Sequence, residues 1–203
     1  MSKRGANAGD RLSAVELFAV EPAGMRVTIP SDSPVGFCRA ALRIRLQGDF
    51  QITARYTILN LEPPKRGYGP GVGISIQDSE GERTALQRVL RVGEGHVFTC
   101  VRGLRRPDGK YDYRKHYHDT SSEALSGWLR MVRVGSSVRY QIAAPHGERF
   151  LQIHEDECPP NDVETVPLKI QTGGSPTAID VVWSYFDVQA EQIVKEFSPA
   201  EGS

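Results

Sequence analysis

The chain has 203 residues, with Lys plus Arg and Asp plus Glu at 25 each. Balanced charge with no dense basic stripe gives no field along the chain to hold a polyanion, so nucleic acid is excluded as an expected partner. The length suits one domain with a sizeable core, and no run approaches the roughly 20 apolar residues that span a bilayer.

Residues 1–20 mix Gly, Ala and charge around the apolar patch Leu17-Phe18-Ala19-Val20, and read as a loose arm ending in a short strand or turn. From Met25 apolar and polar residues alternate. Strands are predicted over Met25–Ile29, Cys38–Leu46, Asp49–Leu61, Gly71–Gln77, Arg83–Arg91, His96–Arg102 and Tyr111–His118, then over Gly127–Val134, Ser137–Ala143, Arg149–His154, Val166–Gln171 and Thr177–Ala190. The run from Asp49 is the clearest: Phe50, Ile52, Ala54, Tyr56 and Ile58 face a core, while Gln51, Thr53, Arg55 and Thr57 face out. Turn signals separate the strands, among them Pro63-Pro64, Pro107-Asp108-Gly109, Gly135-Ser136 and Gly173-Gly174-Ser175-Pro176. Only Ser121–Leu125 and Ala190–Phe197 suit short helices. In the last strand Ile179, Val181 and Trp183 keep odd positions and Phe186 and Val188 even ones, which predicts a β-bulge near Ser184-Tyr185 and turns Tyr185 toward solvent. The reading is an all-β, antiparallel, jelly-roll-like β-sandwich of about a dozen strands. A single domain spans residues 21–195, followed by a flexible tail over 196–203.

Cys38, Cys100 and Cys158 cannot all pair within one molecule and leave both their disulfide status and the compartment open. The start, Met1-Ser2-Lys3-Arg4-Gly5, contains no secretory signal. That predicts a cytoplasmic protein if the chain is complete, and is compatible with an extracytoplasmic one if it is a piece of a larger protein.

If Pro107-Asp108-Gly109 closes a three-residue hairpin loop, Cys100 stands opposite His116 and Phe98 opposite His118. His96, Cys100, His116 and His118 then share a face on which zinc or copper could be held, read here as the polar outer face. Val97, Thr99 and Val101 with Tyr111, Tyr113 and Tyr117 form the other face, read as the core side. The run His154-Glu155-Asp156-Glu157 before Cys158-Pro159-Pro160 reads as an acidic loop, with a calcium site from Glu155, Asp156, Glu157 and Asp162 as the alternative. Gly67, Gly69, Gly71 and Gly73 lead into a strand rather than a helix, so they mark a sheet corner or crowded crossing and not a phosphate cradle. No nucleophile and base at catalytic spacing can be picked out. No cofactor is expected. With aromatics at 8%, most rings belong in the core, and Tyr68 and Tyr185 are the rings expected at a ligand.

Four segments occur in order: Gly48 to Tyr56, Gly67 to Val72, Ser126 to Arg133 and Thr172 to Val181. Over residues 24–193 they resemble a bacterial domain of unknown function that belongs with the concanavalin A-like lectin and glucanase sandwiches. The resemblance implies that fold and, by analogy, a non-catalytic module that binds carbohydrate, with an oligosaccharide or another protein domain as partner. A spacer in a larger bacterial surface or secreted protein is the alternative, and a glycoside hydrolase or lyase the third reading. The Glu-x-Asp-x-x-Glu pattern of glycosidases with this architecture is absent, which leans away from an enzyme.

Overall fold

The computed structural model describes residues 17–42, 44–120, 123–147 and 149–195. Its strands are β1 (Phe18–Glu21), β2 (Gly24–Ile29), β3 (Phe37–Leu42), β4 (Ile44–Leu61), β5 (Gly71–Asp78), β6 (Arg83–Arg91) and β7 (Gly95–Arg105). They continue with β8 (Tyr111–Asp119), β9 (Ser126–Val134), β10 (Ser137–Ala143), β11 (Leu151–Glu157), β12 (Val163–Gln171) and β13 (Ile179–Lys195). No helix among the described residues is long and apolar enough to cross a membrane.

All pairings are antiparallel and fall into two layers. One runs β1-β2-β13-β4-β9-β10-β11. The other runs β3-β12-β5-β6-β7-β8. A single pairing of Leu46 with Val163 joins them. The inner faces of both layers feed one core. Phe50, Ile52, Ala54, Tyr56 and Ile58 of β4 are buried, as the alternation requires, and meet Val72, Ile74 and Ile76 of β5 and Leu86 of β6.

Three elements differ from the sequence reading. Gly48 does not end a strand: β4 continues through it with φ at +69°, while the facing strand slips between Ala190 and Gln192, a bulge that bends β4. Residues Ala190–Lys195 are strand rather than helix, because pairing with β4 persists to Lys195 opposite Ile44. Glu155, Asp156 and Glu157 lie on β11 and not in a loop, pairing with Arg139, Val138 and Ser137 of β10. The register slip between Trp183 and Tyr185 occurs where the odd-to-even switch places it. Tyr185 is exposed beyond it. Residues 1–16, Ser121-Ser122 and the tail lie outside the described residues.

The hairpin β7–β8 has the predicted register but the opposite orientation. Asp108 and Gly109 close the turn, Arg106 N–H donates to the Lys110 carbonyl at 2.8 Å, and Cys100 pairs with His116 and Phe98 with His118. Phe98 and Cys100, however, belong to the core cluster. The face carrying Val97, Thr99, Val101, Tyr113 and Tyr117 is the outer one.

Candidate functional site

Across that outer face runs a hollow of about 420 Å3 that touches both edge strands of its layer, β3 and β8, as only a concave sheet allows. Its shape follows from side-chain size. The middle strand β5 sends Gly71, Gly73 and Ser75 outward, with Ala85 beside them on β6, so the floor is low. A Cβ on Gly73 would stand 2.7 Å from both the Gln87 side chain and the Leu86 carbonyl oxygen. The edges carry bulk: Phe37 and Arg39 on β3, Tyr113, Lys115 and Tyr117 on β8.

The register sets the side chains in transverse rows. Arg39, Lys169, Gly73, Gln87, Thr99 and Tyr117 are direct neighbours from β3 to β8. Four residues along, Thr165, Gln77, Arg83, Gly103 and Tyr113 form a second row. Tyr68 closes one end. Two glycine-rich loops hold it there: its N–H donates to the Gly173 carbonyl at 2.7 Å, and Gly67, Gly69 and Gly173 approach one another too closely for any Cβ. The Tyr68 hydroxyl donates to buried Thr99 Oγ1 at 3.0 Å, and burial pushes the phenol up to about 12. The Lys115 ammonium and the Arg91 guanidinium lie 4.6 Å and 5.3 Å from its ring centre, and Arg91 is 4.6 Å from that of Tyr117.

The groove is cationic. Arg39, Arg83, Lys115 and Lys169 line it, and no Asp or Glu does among the described residues. Half-buried Lys169 has its ammonium pushed down to about 8, first by loss of water and then by the like charge of Arg83. The sequence hides this set because its members sit on four different strands. The alternation of Gly71, Gly73 and Ser75 against Val72, Ile74 and Ile76 was the available signal, since a strand face without bulk marks a groove floor.

The two tyrosines expected at a ligand are not brought together. Tyr68 is at the groove, whereas Tyr185 lies on the outer face of the other layer, edge-on to Trp128 at 5.3 Å beside a hollow of about 280 Å3. Phe37, Tyr113 and Tyr117 are exposed as well, so exposed rings are more numerous than composition suggests.

The four residues read as a metal face keep the predicted register but do not converge on one point. His96 and Cys100 are four residues apart on one strand, about 13 Å. Burial and Arg88 lower the His96 pKa, and burial pushes the Cys100 thiol up to about 12. His116 instead stacks on His154 of β11 with ring centres 4.2 Å apart, and His118 stands opposite Phe98. Among the described residues no group of three or more His, Cys, Asp or Glu is placed to hold a metal ion. All three cysteines are free and buried. Glu155 accepts hydrogen bonds from Ser137, Gln152 and Arg139, and these hold its pKa below the usual value. It is an ionised, engaged carboxylate rather than a proton donor.

Residues 5–201 match the family model described as the protein of unknown function (DUF1583) C domain. The chain belongs to this family. No curated protein matches the chain in sequence. Among solved structures, it is similar to a legume lectin-like domain from Entamoeba histolytica, at 12% identity and a TM-score of 0.57 over 86% of this chain and 87% of that one. The alginate lyase from Klebsiella pneumoniae gives 10%, 0.56, 86% and 84%, and the Bacillus licheniformis β-glucanase 8%, 0.54, 83% and 78%. At these identities the likeness shows the jelly-roll fold of lectins and glucanases, not an activity.

Proposed function

We propose that this domain is a non-catalytic carbohydrate-binding module that holds a saccharide chain across the hollow face of the β3–β8 layer. One observation carries the reading: a groove of ligand size is lined by three glutamines, Gln77, Gln87 and Gln171, and by tyrosines, with no carboxylate inside. Amides both donate and accept, which suits the alternating hydroxyls of a sugar ring. A glycosidase needs two carboxyl groups about 5–10 Å apart on either side of the scissile bond, and the described residues of this groove offer none. Structural neighbours that include a lectin-like domain support the reading by analogy.

The test is a polysaccharide panel read by thermal midpoint, since a ligand that binds only the folded state raises it. A matching saccharide raises the midpoint of the wild type, and Tyr113→Ala with Tyr117→Ala removes the rise while leaving the unliganded midpoint nearly unchanged, because both rings are exposed. No rise with any chain favours a spacer, and release of shortened products establishes an enzyme.

A further inference from the structure

The charges in the groove say more about the ligand than the amides do. Several cations elsewhere have acidic partners, Arg26 with Asp180, Arg102 with Glu82 and Arg139 with Glu155, while Arg130 and Arg133 are held by hydroxyl or carbonyl oxygens and by rings. Among the described residues Arg39, Arg83, Lys115 and Lys169 form no ion pair, although the chain has as many acids as bases to supply one. Lys169 is moreover in direct cross-strand register with Arg39, a like-charge pairing that weakens a sheet. Half-burial of Lys169 beside Arg83 adds to that cost. A free domain that keeps four uncompensated cations around one hollow is arranged for negative charge brought from outside.

We infer that the groove selects saccharide chains that carry anionic groups, either uronate carboxylates or sulfate esters. The inference rests on the groove being the sugar site and adds the class of sugar. Arginine forks at Arg39 and Arg83 suit either anion as paired hydrogen-bond donors, and Lys169 and Lys115 add point charges on the floor and far wall. Gln77, Gln87 and Gln171 engage the hydroxyls between charged groups. Nucleic acid fits less well, because Arg91 and Lys115 already cover the faces of Tyr68 and Tyr117 that a base would stack on.

The groups facing Lys169 are Arg39 on β3, Arg83 and Gln87 on β6, and Lys115 and Tyr117 across the groove; none is acidic. A bound anion therefore favours the charged ammonium. Affinity is full below about pH 8, where free Lys169 is protonated, and falls as the pH rises above it. A neutral chain shows no such fall.

The experiment is titration calorimetry of the folded domain with polygalacturonate, alginate, a sulfated galactan, a neutral glucan, xylan and single-stranded DNA. An acidic polysaccharide is expected to bind at least about tenfold tighter than the neutral chains and to weaken as salt is raised. Lys169→Gln and Arg83→Gln each weaken it about tenfold, while Arg106→Gln, on the β7–β8 turn with Asp108 and Asp112 as neighbours, leaves it unchanged. Lys169→Gln also raises the unliganded thermal midpoint, which separates lost binding from lost folding. Binding of the uronates alone or of the sulfated chain alone identifies the anion. Equal affinity for a neutral chain overturns the acidic class but leaves the sugar site standing. No saccharide binding at all overturns both, as does DNA binding at least as tightly as any polysaccharide.

Discussion

Arg133 is fully buried, and carbonyl oxygens rather than a carboxylate receive it. Its Nη1 donates to the Asn161 carbonyl at 2.6 Å, its Nε and Nη2 to the Gly48 carbonyl, and its guanidinium lies 4.7 Å from the Phe50 ring. One side chain thus ties the β4 bulge to the loop before β12. Arg133→Met keeps the volume but strands both carbonyls, and is expected to cost about 2–4 kcal/mol. Urea unfolding checks this, and an unchanged midpoint at unchanged slope refutes it. Asp180 is an ion pair of the opposite sign of demand. Arg26 donates to it through Nε at 3.0 Å and Nη2 at 2.6 Å, and the Thr28 hydroxyl donates at 3.0 Å. These contacts, the Arg26 hydrogen bonds first, hold its pKa below the usual carboxylate range. A carboxylate depressed in the folded state stabilises it fully above the unfolded value, about pH 4, and that contribution disappears as pH falls through the lower folded value. Asp180→Asn is expected to lose about 1–2 kcal/mol at neutral pH and little at the acid end, so the two proteins' acid-unfolding curves converge. Parallel curves refute the assignment.

Strand existence was legible because a period of two is hard to mimic, and β6 and β10 have the very bounds that the alternation predicts. The β7–β8 register was legible too, since a three-residue turn fixes it. Which side of that hairpin faces the core was not. Both faces of β7 are buried, one against the other layer and one under the groove's own side chains, so apolar character points both ways. The groove was hidden for a related reason: its cations come from four strands, and only sheet register gathers them. The glycines near Tyr68 were read as a crowded crossing, which they are, but their consequence is the position of a ring. Gly69 has φ at +99°, and a Cβ there would run into the Leu90 carbonyl oxygen. Gly93, at +75°, has open space around its Cβ position. Gly69→Ala is therefore expected to cost more than about 2 kcal/mol and to abolish saccharide binding by moving Tyr68, whereas Gly93→Ala costs about 1 kcal/mol of backbone strain and leaves binding intact. Equal costs measured by urea unfolding refute this account of the loop.

At the scale of the whole molecule, the described strands of the two layers pair through backbone only where Leu46 meets Val163, so side chains close the sandwich elsewhere. At the β8 and β11 edges that closure is the stacked pair of His116 and His154, with the Tyr140 ring 5.7 Å from His154 on the inner side. Loss of water lowers the His154 pKa first and the nearby His116 second, while Asp156 on the same strand opposes them. A histidine depressed in the folded state binds fewer protons folded than unfolded below about pH 6.5, so acidification destabilises the fold. Stability from this edge is complete above that pH and falls as the pH drops through the unfolded value toward the folded one. The thermal midpoint of the wild type is expected to fall between about pH 7 and about pH 5, above the range where the carboxylates titrate. His154→Phe retains the stacking surface and removes the charge, so its midpoint should stay nearly flat over the same interval. Hydrogen exchange locates the change: the wild type should lose protection at β8 and β11 first, and equal loss across β4 and β13 refutes an edge opened by these two rings.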